Sequence, residues 1–182
     1  MNNNIEKIDV CSIICQSLAT TSFIAELYNS NFFDSEFYKQ MPLANEYKEI
    51  IRISGIGNPS MLQMMLYSLL VIPKEKLNLI ADNTLDNIND ELEKLVENEN
   101  ILSTYKSDEK KVDYLRHIRN AVSHSNTKYF INNQICYVTF YDKNNNTNET
   151  CSFNMKTENV GKLLEILQML LIQEICNFKN IK

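Results

Sequence analysis

Histidine is the side chain that most readily exchanges protons near neutral pH, and arginine is the cation best shaped to clamp a phosphate. The chain holds only two histidines, His117 and His124, and its arginines are Arg52, Arg116 and Arg119. Apart from Arg52, these scarce residues crowd into one stretch, Leu115-Arg116-His117-Ile118-Arg119-Asn120-Ala121-Val122-Ser123-His124. A guanidinium that neutralises phosphate oxygens, beside an imidazole that moves a proton, is a workable tool for phosphodiester chemistry.

The element carrying them is expected to be a helix, because Val112, Leu115, Ile118 and Val122 recur at helical spacing. Ser107-Asp108-Glu109 supplies a helix-start signal and Ser125-Asn126 breaks the pattern. On such a helix His117, Asn120 and His124 share a solvent-facing polar ridge, while Arg119 flanks the apolar stripe. Arg119 and His124 lie about 7.5 Å apart along the axis and diverge around it. They converge only if the helix ends before His124 or a facing copy supplies the opposite wall. The competing reading is a plain helix C-terminus whose cations suit the dipole.

Around this helix, 182 residues suit one domain, 1–182, able to bury a core. Three Gly and three Pro favour long helices over tight-turned β architecture. Periodicity places N-terminal helices over 5–53, with Asp34 or Ser35 as a cap and a break at Pro42. Core helices follow over 60–125, including a long one over 74–101 with Leu77, Ile80, Ala81, Leu85, Ile88, Leu92, Leu95 and Val96 on one stripe. Segments 128–131, 134–141 and 150–155 are β-branched and aromatic, separated by Asn132-Asn133 and an Asn-rich turn, and read as a β-hairpin or three-strand ribbon over 128–155. Thr157 caps a C-terminal helix over 157–178. The fold class is therefore mainly α, an antiparallel helical bundle with a small β-hairpin inserted before the last helix.

A net charge of -5 offers no global positive field for nucleic acid, so any such contact must rest on a local patch. Arg116, His117, Lys110, Lys111 and Lys128 are the weaker candidates for an RNA track, chosen for charge and proximity. The N-terminus lacks a signal-peptide pattern, and the most apolar stretch, 61–72, is too short to span a bilayer. Five cysteines without a pairing context fit reduced thiols, and a soluble cytoplasmic protein is expected. Cys11 and Cys15 share a helix face but lack further ligands, so packed thiols are expected rather than a metal site. Cys136 and Cys151 fall on the predicted strands and are expected to face each other as packed thiols. No cofactor and no metal site is expected from the residue patterns.

Arg119-x4-His124, with Asn120 directly after the arginine, resembles the signature of the HEPN superfamily. Leu66-Tyr67-Ser68-Leu69-Leu70-Val71-Ile72-Pro73-Lys74-Glu75, the motif segment through Asn126, and Phe140-Tyr141-Asp142 resemble a bacterial plasmid- or defence-associated HEPN nuclease family. The resemblance implies a HEPN-like bundle and a metal-independent endoribonuclease, a toxin or phage-defence effector, working as a homodimer with two motifs lining one RNA cleft. It implies that Arg119 polarises the scissile phosphate, that His124 is general acid or base for attack by the ribose 2′-hydroxyl, and that Asn120 orients the site. Products carry a 2′,3′-cyclic phosphate and a 5′-hydroxyl. The alternative it leaves is a non-catalytic module that binds nucleotide, RNA or protein. It further implies a partner such as an antitoxin or regulatory protein. Some HEPN toxins carry a Tyr two residues after the His as the target of a nucleotidyltransferase antitoxin. Asn126 stands there in this chain, and Tyr129 is out of pattern, which argues against that mode of control.

Overall fold

The computed structural model describes residues 2–55, 57–72, 82–97 and 101–179. Helix α1, Asn2–Asn29, opens the chain. Ser35 caps α2, Glu36–Gln40, by accepting a hydrogen bond from the Tyr38 N–H, and α3 covers Asn45–Ser54. Gly55 closes α3 at φ 65°, a backbone conformation that suits a residue without Cβ. Asn58 then caps α4, Pro59–Leu66, with Pro59 in its first turn, where a missing N–H costs nothing. The helix continues through a π-helical stretch, Tyr67–Val71, whose Leu69, Leu70 and Val71 are buried.

Helix α5, Asp82–Leu95, lies within the long helix expected over 74–101 but ends short of it: Val96 leaves the helix to make an antiparallel bridge with Met155, and Glu97 N–H donates to the Asn154 carbonyl at 3.0 Å. Leu77, Ile80, Ala81 and the Pro73 break lie outside the described residues. Within α5 the predicted stripe does its work, since Ile88 and Leu92 are buried and Leu95 packs against the core.

The sheet is larger than the sequence suggests. Strands β2 (Thr127–Asn132), β3 (Ile135–Lys143) and β4 (Thr150–Lys156) form the expected antiparallel ribbon. A fourth strand, β1 (Leu102–Ser103), precedes the motif helix and pairs with β4, giving the order β1-β4-β3-β2. The element is therefore a four-stranded sheet rather than a hairpin confined to 128–155; a two-residue strand has no periodicity to announce it. Asn133 and Gln134, at φ 49° and 64°, make the β2–β3 turn, the left-handed pair that matches strand twist in a two-residue hairpin.

The motif helix, α6, covers Tyr114–Ser123. It does not begin at Ser107-Asp108, which instead form part of a 3-10 turn, Lys106–Asp108. Asp113 caps it, accepting from Arg116 N–H at 3.1 Å, because Asp108 is buried and engaged elsewhere. Helix α7, Thr157–Lys179, follows β4 without a loop. Thr157 is its first residue, and its hydroxyl donates to the Cys136 carbonyl instead of capping the helix.

The core lies where the inner face of the sheet meets α6 and α7. Val138, Phe140, Phe153 and Met155 point inward at period two and pack with Ile118, Ala121 and Val122 of α6 and Val160, Leu163 and Leu167 of α7. Tyr114 meets Phe153 edge to face at 5.2 Å. Each such buried aliphatic or aromatic side chain contributes about 1.5–3 kcal/mol, so α6 is pinned along its whole apolar stripe. Among the described residues, no helix is long and apolar enough to cross a membrane.

Candidate active site

Because α6 buries Leu115, Ile118 and Val122 against the sheet, its remaining residues fall at the sheet edge or in solvent. Arg119 and Asn120 are half-buried and His124 is exposed. His124 lies just beyond the helix as its C-cap, at φ -100° and ψ 7°. The next residue, Ser125, takes the left-handed conformation at φ 55°. Ser125 N–H then reaches the Val122 carbonyl at 3.2 Å, and Asn126 N–H reaches that of Ala121 at 2.7 Å. These paired bonds form a Schellman motif, which satisfies the last carbonyls of the helix and turns the chain sharply into β2. Tyr141 N–H donates to the Asn126 carbonyl at 3.0 Å and locks the corner to β3. The backbone under His124 is thus fixed, while its ring has no side-chain partner among the described residues.

Arg119 is held differently. Its Nε and Nη2 donate to Asn120 Oδ1 at 3.1 and 2.6 Å. Asn120 Nδ2 donates in turn to Asp142 Oδ2 at 3.0 Å. The same carboxylate oxygen accepts from Tyr105 OH at 3.1 Å and from His117 Nδ1 at 2.7 Å. His117 Nε2 donates to Asp108 Oδ2 at 2.8 Å, and Ser103 of β1 adds a hydroxyl to that oxygen. Arg116 Nη2 donates to Asp108 Oδ1 at 3.0 Å, and the guanidinium carbon Cζ lies over the Tyr105 ring, 5.1 Å from its centroid. Arg116 Nη2 also sits 3.2 Å from His117 Nε2; two donors cannot bond each other, so the contact reflects their shared approach to Asp108.

His117 is accordingly no solvent-facing residue: it is fully buried, with a carboxylate on each ring nitrogen. Burial alone would push its pKa down. The hydrogen bond to Asp142, the Cys151 thiol alongside and the bond to Asp108 reverse that and hold it at about 10. Burial works against the charged forms of Asp142 and Asp108 as well. Bonds from His117 and Asn120 to the first, and from Ser103 and His117 to the second, still keep both below the ordinary carboxylate range. Desolvation lowers the Arg119 pKa, opposed by Asp142. Tyr105 is pushed up to about 12 by burial and by Asp142, so it stays a donor.

The charges of this cluster nearly cancel. Asp108 and Asp142 are offset by His117 and Arg116, Asp113 lies 3.8 Å from Arg116 Nε, and Arg119 has no ion pair among the described residues. Asp108, His117 and the Cys151 sulfur also bring potential metal-ligand atoms within 4.8 Å of one another. The Arg116 guanidinium already occupies the approach to Asp108 and His117, and both His117 nitrogens carry protons, so the arrangement suits a charge network better than a cation.

The remaining sequence candidates scatter. Arg116 belongs to the buried network. Lys111 pairs with Asp90 at 2.7 Å, beside α5. Lys110 is exposed in the segment before α6, at the opposite end of the helix from His124. Lys128 is exposed on β2, close to the α6–β2 corner. Cys136 and Cys151 do not face each other: Cys136 lies opposite Ile131, and Cys151 opposite Asp142 and Ser103. Cys15 is exposed, not packed, and the Cys11 side chain lies outside what the structure describes. The Tyr129 hydroxyl is buried and has no hydrogen-bond partner among the described residues.

Sequence reasoning missed Asp108 and Asp142. Asp142 carried a signal: in Val138-x-Phe140-x-Asp142 it takes the inward position of an otherwise apolar alternation, where a charge needs a buried partner. Asp108 carried none beyond its resemblance to a helix cap. Compared with known proteins, residues 2–178 match the family model described as HEPN pEK499 p136. No curated protein and no solved structure matches the chain.

Proposed function

The chain belongs to the HEPN pEK499 p136 family, and from that premise we propose that it is a metal-independent endoribonuclease acting as a homodimer. The observation that carries this reading is the division of labour at the end of α6. Arg119, with no ion pair among the described residues, rests on Asn120 and through it on buried Asp142, while the imidazole of His124, without a side-chain partner among those residues, stands at the cap. Arg119 binds the scissile phosphate and stabilises charge on its oxygens as it becomes five-coordinate. His124 serves as general base for the ribose 2′-hydroxyl or as general acid for the departing 5′-oxygen. The 2′-oxygen bonds to phosphorus, the bond to the 5′-oxygen breaks, and the proton lost by one oxygen is matched by the proton gained by the other. The products are a 2′,3′-cyclic phosphate and a 5′-hydroxyl. Asn120 and Asp142 are positioning residues. The role proposed for such an activity is that of a toxin or antiviral effector with a regulatory protein as partner.

RNA cleavage in EDTA by the wild type, Arg119→Ala and His124→Ala tests the reading. The wild type is expected to cut and leave cyclic-phosphate ends, with His124→Ala slower by about 100- to 10,000-fold and Arg119→Ala comparably impaired, both folded. Equal cutting by all three proteins, or no cutting by pure wild type on any RNA, sinks it.

A further inference from the structure

The sheet that buries Asp142 on one side presents a second surface on the other. Residues paired directly across antiparallel strands share a face, so the register groups Tyr137 with Phe130 and Lys156, and sets Lys128 and Tyr141 in neighbouring rows turned away from α6. Phe130 and Tyr137 stack at 5.4 Å with ring planes 15° apart. Tyr141, Lys128 and Lys143 are exposed, and the stacked pair is half-buried. In a chain of net charge -5, no Asp or Glu stands at an outward position of β2, β3 or β4. Glu97, beside β4, lies 3.5 Å from Lys156. Lys128 and Lys143 have no ion pair among the described residues.

Flat aromatic faces interleaved with lysines are the chemistry that accepts unpaired bases and their phosphates. A base pair in a duplex hides the faces such rings need, so the fit is to single strands. The surface is also continuous with the site: Asn126, two residues after His124, is bonded to Tyr141, and Lys128 takes the next outward position of β2. At a strand rise of about 3.4 Å per residue, Phe130 lies about 14 Å beyond Asn126. We propose that the outer face of the sheet is a binding platform for single-stranded RNA, on which Tyr141, Tyr137 and Phe130 stack bases and Lys128 and Lys143 meet the backbone as it leaves the α6–β2 corner. The platform rests on the ribonuclease reading for its ligand, and it adds where the strand runs and why unpaired RNA is preferred.

The test uses the full chain and a fluorescein-labelled single-stranded oligoribonucleotide with every 2′-hydroxyl methylated, which binds but has no nucleophile for cleavage. By anisotropy, Tyr137→Ala and Tyr141→Ala are each expected to weaken binding by roughly 5- to 100-fold. Lys128→Ala is expected to reduce the slope of log K against log salt by about 0.7. Lys128 and Tyr141 are exposed, so these two variants fold even if Tyr137→Ala does not; circular dichroism checks each. Unchanged affinity and salt slope in the folded variants overturns the platform. So does a loss of self-association with RNA affinity intact, which would make this face a contact between copies of the chain. Cleavage of unmodified RNA by the wild type is measured alongside. Aromatic-dependent binding without cleavage removes the ribonuclease reading and leaves the platform standing. Cleavage with binding unaltered in the variants removes the platform alone.

Discussion

His117 keeps its proton because each ring nitrogen faces a buried carboxylate, and that fact sets how stability should vary with pH. Its folded pKa, about 10, lies above the ordinary 6.5. The stabilisation is therefore complete below about pH 6.5 and is lost as pH rises through about 10. Asp108 and Asp142 have the opposite sign: their depressed pKa values give stability that is present above about pH 4 and lost as pH falls further. Thermal melts should show the wild type most stable between these limits. The difference in stability between wild type and His117→Gln should shrink from pH 6.5 toward pH 10; a constant difference would show that the imidazole is not held charged. Asn120 sits one bond further along the network. Replacing it with alanine removes the support of Arg119 and one of the bonds to Asp142. Asn120→Ala should cost about 1 kcal/mol of stability but slow RNA cleavage about 10- to 100-fold, a disproportion that a merely structural residue would not give. Asn120→Ser, which can still meet Asp142, should recover part of the loss.

At the scale of elements, the corner after α6 is the part of the molecule on which the site most depends. Ser125 occupies the left-handed position that a Schellman motif usually gives to glycine. Ser125→Gly should stabilise the fold by about 0.5–1 kcal/mol, read as a rise in denaturant midpoint at unchanged m; a fall would mean that the serine side chain holds the corner. On the sheet, Tyr129 carries a buried hydroxyl with no partner among the described residues, and burial pushes its pKa up to about 12. Tyr129→Phe should be neutral or stabilising by about 1 kcal/mol, and a clear loss would reveal a partner for the hydroxyl. These details were legible to unequal degrees. The stripes of α5, α6 and α7 could be read from their 3.6-residue spacing, although pairing of Val96 with Met155 ends α5 earlier than the spacing suggests; Ser125-Asn126 marked the end of α6 correctly. The start of α6 could not, since Asp108 and Asp113 are equally good caps by type and only the burial of Asp108 beside His117 decides between them. His117 looked like a neighbour of Asn120 on a wet ridge. Its true surroundings come from Asp142, 25 residues away, on a strand whose packing against α6 no local pattern encodes.

At the scale of the molecule, the proposed ribonuclease requires Arg119 and His124 to act on one phosphate. Within one chain Arg119 leans onto Asn120 toward the sheet, whereas His124 stands past the helix end on a backbone that the Schellman bonds and Tyr141 hold fixed. Five residues put about 7.5 Å between their positions along the axis; α6 ends at Ser123, before His124, but the Arg119 guanidinium is spent on Asn120. In the proposed dimer, a second copy placing its own α6 end opposite would supply the missing partner to each. If the guanidinium and the imidazole at a given phosphate come from different subunits, mixing Arg119→Ala with His124→Ala rebuilds one intact pair in every mixed dimer: the arginine of one chain beside the histidine of the other. Two variants that are nearly inactive alone should then regain cleavage on mixing, after enough time for subunits to exchange. The gain should fall on dilution below the dimer dissociation constant, which sedimentation of the wild type measures independently. If both groups come from the same subunit, no mixed dimer contains a complete pair and mixing recovers nothing. If the protein is a monomer at concentrations where it cuts RNA, the two-chain site is excluded outright, and Arg119 and His124 must close on the phosphate by moving the corner that holds them apart.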